Sequence, residues 1–129
     1  MDSVLVLFLF FVFIFSFYFL YSKPTEIQEI KPILNQIINY SGINNLNYKI
    51  YSSSLHSFTK NKQEIYLFTG NYNQDTILFV ALHEIAHIIC KEEHHTENFY
   101  KIEQILHQNA VKLGFIDVDK IDKSYPCMN

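Results

Sequence analysis

The chain contains no arginine and no tryptophan in 129 residues, and only two cysteines. Without arginine, the bidentate forks that read guanine or grip phosphate are missing. Ten lysines against thirteen acidic residues leave a net charge of −3, and the lysines are scattered apart from Lys60 and Lys62. No electrostatic footprint for nucleic acid results, so nucleic acid is not an expected partner. Cys90 and Cys127 form no scaffold of the secreted kind, although a single disulfide between them is open. No internal repeat is present.

Charge is also missing from Val4 to Tyr21, where Ser16 is the sole small polar interruption. A helix over that run spans about 27 Å, close to the hydrocarbon thickness of a bilayer. Aromatic side chains from Phe8 to Tyr21 occupy every face, which argues against a buried core helix. A cleaved signal peptide is the alternative, with secretion as its consequence. The long apolar run, Asp2 in place of a basic n-region and the missing small-x-small cleavage site favour an uncleaved anchor. The expectation is one transmembrane helix over residues 4–21, with the bilayer as a partner. Lys23 and Lys31 follow the span, so the positive-inside tendency places the larger part on the cytoplasmic side.

What remains is about a hundred residues, enough for one domain and not two. Residues 22–25 read as a linker, 26–116 as the domain and 117–129 as a charged, turn-rich tail. Thr25 and Gln28 suit a capping box, and Ile27, Ile30, Leu34, Ile37 and Ile38 recur at helical spacing. Pro32 must kink that helix or begin a second one, and Ser41-Gly42 ends it. Three strand-like stretches follow, at Tyr48–Tyr51, Leu55–Phe58 and Glu64–Phe68, with turn chemistry at Asn61-Lys62-Gln63. His56 reads as a surface residue. Asn73 or Asp75 can cap a helix that is apolar almost all round from Ile77 to Ile89. A last helix runs from about Thr96 to Leu113, with Gly114 as its stop and Phe99, Ile102, Leu106, Ala110 and Leu113 on one face. His107 on that helix reads as surface or supporting. The fold class is α+β.

The buried helix carries His83-Glu84-Ile85-Ala86-His87, and His94 and His95 follow closely. Imidazoles four apart share a helix face and can reach one metal ion. The carboxylate between them can take a proton from a metal-bound water, and a later His would leave the fourth position open. The plainer alternative is a pair of core histidines satisfied by local hydrogen bonds. Cys90, three residues past His87, is a further candidate ligand.

The stretch from His83 to Phe99 resembles zinc peptidases of the SprT-like and WLM group, which are minimal gluzincin-like enzymes. In that group H-E-x-x-H is followed by a His that opens an H-x-x-x-F signature, matched here by His95 and Phe99. The resemblance covers roughly residues 63 to 114. It implies His83, His87 and His95 as Zn²⁺ ligands, Glu84 as general base, and a small zincin-like domain hydrolysing peptide bonds of a protein or peptide substrate. The metzincin pattern is absent, since its Gly falls on Cys90 and its third His on Glu93. The Gly that usually follows the third His in SprT-like proteins is Thr96 here, and WLM members commonly have a shorter gap, so His94 stays open. So does a gluzincin-style Glu103. DNA as substrate is not carried over, because no basic patch accompanies the motif. Two other readings use the same ligands. One is a zinc-binding, membrane-tethered interaction protein without catalysis; the other is a zinc hydrolase of a non-peptide substrate.

Overall fold

A computed structural model of the chain describes residues 2–21 and 25–125, without the side chains of residues 20 and 21. Cys127 and Lys23, and with them the disulfide and part of the charge asymmetry, lie outside those residues. Among the described residues there are four helices, α1 (Ser3–Tyr21), α2 (Lys31–Tyr40), α3 (Gln74–Ile89) and α4 (Glu97–Lys112). A three-stranded sheet joins them, made of β1 (Lys49–Ser52), β2 (Phe58–Lys60) and β3 (Glu64–Leu67), and a short 3-10 turn closes the chain at Val118–Lys120.

The expected transmembrane anchor is corrected. Among the described residues no helix is long and apolar enough to cross a membrane. The physical reason is length. Helix α1 has 19 residues, Ser3–Tyr21, about 28 Å of rise, against about 30 Å of hydrocarbon core. The single-pass placement with a cytoplasmic domain loses its basis with the anchor.

The start of the domain also differs from expectation. Thr25 to Ile27 do not open a helix; they lie along β1, with Ile27 N donating to Ile50 O and Ser52 N to Thr25 O, each at 2.8 Å. Glu26 bridges Tyr51 there. Pro32 decides this. It lacks an N–H and would clash with the carbonyl four residues back inside a helix, yet fits a first turn. The helix therefore begins at Lys31, with Pro32 in its first turn.

In the sheet the strand order is β1-β3-β2, with β1 parallel and β2 antiparallel to β3. Side-chain alternation sends Ile50, Ile65 and Leu67 inward, where they are fully buried. Tyr51, Tyr66 and Phe58 stand on the opposite face and stack across the strands, with ring centroids 5.3 and 4.7 Å apart. Such cross-strand aromatic pairs stabilise a small sheet. Strand β3, Glu64–Leu67, is the centre of the sheet. One edge is β2, because β1 claims the other flank of β3.

Helix α3 packs between this sheet and α4, and α2 closes the layer behind them. Leu78, Ala81, Leu82 and Ile85 of α3 are fully buried, as are Leu34 and Ile37 of α2 and Phe99, Leu106 and Ala110 of α4. Asn73 caps α3, accepting from Thr76 N at 2.9 Å, and Thr96 caps α4. Gly114 at φ 84° gives α4 the left-handed exit that other residues take at a cost. Beyond it the chain returns over the domain instead of extending as a tail. Asp117 N donates to Asp75, Asp122 N donates to Thr76 Oγ1, and Tyr125 is buried against Ser57 and the Phe68 carbonyl.

Candidate metal centre

His83 and His87 project from one face of α3, their rings 5.0 Å apart. The chain leaves the helix at Cys90 and comes back with His95, whose ring lies 4.9 Å from that of His87 and 5.1 Å from that of His83. One ligand atom from each of the three lies within 4.8 Å of the other two. These three histidines could hold a metal ion. His94 is not in the group. Its backbone is left-handed, at φ 69°, which turns the chain so that His95 meets the helix and His94 faces the cleft.

The donor set has features that a metal would satisfy. His83 Nε2 is buried and has no hydrogen-bond partner, a costly state for a polar atom. His83 Nδ1 is bonded to Glu103 of α4. A carboxylate there fixes the ring and its tautomer, which leaves Nε2 as the acceptor of a cation. His87 Nε2 and His95 Nε2 face each other at 3.1 Å. Phe99 lies beneath all three imidazoles, with centroids 5.1, 4.3 and 4.8 Å from His83, His87 and His95. Fully buried itself, it restricts the rotamers of all three rings at once.

Glu84 is 4% exposed. Thr59 Oγ1 on β2 donates to its Oε2 at 2.5 Å. Burial raises the Glu84 pKa above the ordinary carboxylate value, and the Thr59 hydrogen bond and nearby His83 partly oppose that. Glu103 behaves differently: burial pushes it up, but its bond to His83 and that residue's charge hold it below the usual range. Burial also lowers His95, as does the neighbouring His83. His87 is lowered to about 4, by burial first and then by His83 and His95. It is therefore neutral, as a metal ligand must be, at any ordinary pH.

This has a measurable consequence for the metal-free protein. Unfolded His87 protonates near 6.5 and folded His87 near 4, so between those values the unfolded chain binds the extra proton. The stability that depends on neutral His87 is thus complete above about pH 6.5 and is lost as pH falls toward 4. Melting temperatures across that window should drop, and His87→Gln should flatten the slope. A slope unchanged by that substitution would contradict the buried neutral imidazole.

Beside the triad lies an open cleft of about 490 Å³, lined by Phe58, Thr59, Lys62, Glu84, His87 and His94 among others. It runs along β2, an edge strand of the sheet that pairs only with β3 among the described residues. The remaining candidates stand elsewhere. Cys90 is buried, is bonded to no cysteine among the described residues and does not join the ligand group. His107 stacks on Phe79 at 3.8 Å and bonds its carbonyl at 2.9 Å, so it is a satisfied interior histidine. Burial lowers its pKa, an effect that the Phe79 hydrogen bond partly opposes. His56 packs on Phe58 on the far face of the sheet. The Tyr125 hydroxyl is engaged with Ser57 and the Phe68 carbonyl.

Comparison with other proteins adds relatives but no activity. The chain matches no model of a known protein family, and no solved structure matches it. It is similar to the uncharacterized protein 042R of invertebrate iridescent virus 3, 40% identical over 70 residues, which cover 50% of this chain and 44% of that protein. The uncharacterized protein 136R of invertebrate iridescent virus 6 is 39% identical over 72 residues, covering 50% of this chain and 40% of that protein. The chain spans less than half the length of these curated relatives. They share sequence and pass on no function.

Three supporting residues were not legible in the sequence. Thr59, Lys62 and the role of Glu103 behind His83 all depend on contacts across 20 or more positions. Nothing in a strand Thr or a turn Lys marks such a partner. Phe99 was legible only as one position of an apolar helix face and as the end of a signature.

Proposed function

We propose that this chain is a zinc-dependent metallopeptidase of the SprT-like and WLM type, hydrolysing peptide bonds in a protein or peptide substrate. The observation that carries the reading is the buried, unpartnered Nε2 of His83 inside a three-histidine group, with a buried carboxylate that is not a ligand beside it. His83, His87 and His95 would hold the ion. Zinc bound by three imidazoles supplies Lewis-acid chemistry, acidifying water and polarising a carbonyl.

The chain's own groups provide the rest. Glu84, whose pKa burial raises above the ordinary carboxylate value, accepts a proton from the attacking water and passes it to the leaving amine. Thr59 keeps the carboxylate in place through Oε2. An extended substrate adds to β2 through main-chain hydrogen bonds. That edge lies in the cleft, whereas Thr25–Ile27 occupy the outer edge of β1. A structural, non-catalytic zinc site needs a fourth protein ligand, and Cys90 lies outside the group.

The test uses the full chain. We expect one zinc per chain, cleavage of an unfolded protein substrate, loss of cleavage with a chelator and return of cleavage with added zinc. Zinc binding without any cleavage would leave a metal-binding protein and remove the enzyme.

A further inference from the structure

The hairpin between β2 and β3 turns through Asn61 and Lys62, both in left-handed backbone at φ 55° and 52°. Gln63 N closes the turn on Lys60 O at 3.2 Å. A turn of this hand favours Asn at its first central position and glycine at its second, since glycine takes positive φ without steric penalty. Lysine in that place is strained, and strain persists only where the surroundings hold it.

The side chain shows what holds it. Lys62 Nζ donates to the carbonyls of His87 at 2.9 Å, Cys90 at 2.8 Å and Glu92 at 3.4 Å. These belong to the last turn of α3 and to the start of the connection that carries His95. Helix α3 has no glycine at its end, and its cap residue Cys90 is extended, at φ −71° and ψ 126°. The usual backbone closure of a helix end is therefore missing, and its last carbonyls need other donors. The ammonium supplies them and complements the negative end of the helix dipole.

We propose that Lys62 is a positioning residue for the metal centre: it ties the end of α3 to the connection that carries His95 and so fixes His95 against His87. The inference rests on the metal-site reading above. Lys62 lines the cleft, but its ammonium has three donors and all three are engaged, so none is left for a substrate. The same clamp joins the hairpin of β2, where a substrate would lie, to the ligands. Substrate edge and metal site then form one rigid unit.

The test compares Lys62→Gly, Lys62→Met and Lys62→Arg in the full chain, with zinc alone as the probe. Glycine removes the ammonium and relieves the turn; methionine removes the ammonium and keeps the strain. Both should bind zinc about tenfold more weakly or worse, the range seen when support for a ligand is lost. Lys62→Gly should melt no lower than Lys62→Met, so turn strain cannot account for a loss of affinity that the two share. In the metal-free protein, amides of residues 91–95 should exchange faster in both variants, while those of α2 stay unchanged. Lys62→Arg should recover part of the affinity. Unchanged zinc affinity in Lys62→Gly, or unchanged exchange at residues 91–95, overturns the proposal. If the unsubstituted chain binds no zinc, the metal-site reading itself fails, which is a distinct result.

Discussion

Glu84→Gln should bind zinc as the unsubstituted protein does and lose about 10²- to 10⁴-fold in kcat on a peptide substrate, the usual contribution of a general base. The substitution nearly preserves shape. A glutamine side-chain oxygen can still accept from Thr59, whose hydroxyl stands 2.5 Å from the carboxylate. What is lost is the capacity to accept a proton, which the carboxylate has and the amide lacks; burial raises the Glu84 pKa above the ordinary carboxylate value. Folding should not suffer, because burial already disfavours the charged form at this position. A fall of that size amounts to about 3–5 kcal/mol of transition-state stabilisation. Turnover undiminished in Glu84→Gln, with zinc bound, would rule out the peptidase mechanism.

His95→Ala should lower zinc affinity by more than about 100-fold, beyond what loss of a merely supporting residue costs. His94→Gly should leave affinity within about threefold of the original, a bound set against the same scale. The two residues are adjacent, so the pair of variants separates the ligand from its neighbour. His95 offers a ligand atom within 4.8 Å of those of His83 and His87, and its removal leaves two ligands from a single helix. His94 contributes its backbone: the left-handed conformation at φ 69° turns the chain, and glycine adopts it with less strain. Equilibrium competition with a chromogenic chelator measures both constants. The reverse pattern would make His94 the ligand and overturn the arrangement described here.

The helix that carries the motif was legible because its signals are local. An almost all-round apolar pattern, an Asn cap and two His four apart each depend on spacing within one element, and α3 forms at Gln74–Ile89 with Asn73 as its cap. The same holds for α4, where Thr96 caps and Gly114 stops the helix. The sequence favours His95 only through the match at Phe99 and leaves His94 open. A shift of one residue in a loop is decided by a single backbone conformation and by packing on Phe99. Nor could it order the strands, since β1 and β2 both suit either flank of β3. Pairing is a long-range choice, made here by the parallel register of Lys49 with Glu64 and the antiparallel one of Phe58 with Tyr66. The sequence offers Glu103 as an alternative ligand, and tertiary packing instead sets it behind His83.

By itself, then, the sequence determined the chemistry on offer: two imidazoles and a carboxylate on one buried helix, a third imidazole nearby, and no arginine to serve another task. It also marked an apolar N-terminal run, but a run of apolar residues does not settle how much helix is long and apolar enough for a membrane. Only the tertiary structure decided which His completes the group, which strand edge faces it, and which residues hold the ligands still. The physical reason is range. Periodicity and capping are fixed within a turn or two of the chain, whereas Thr59, Lys62, Phe99 and Glu103 act through packing and hydrogen bonds that exist only once the distant segments are folded together.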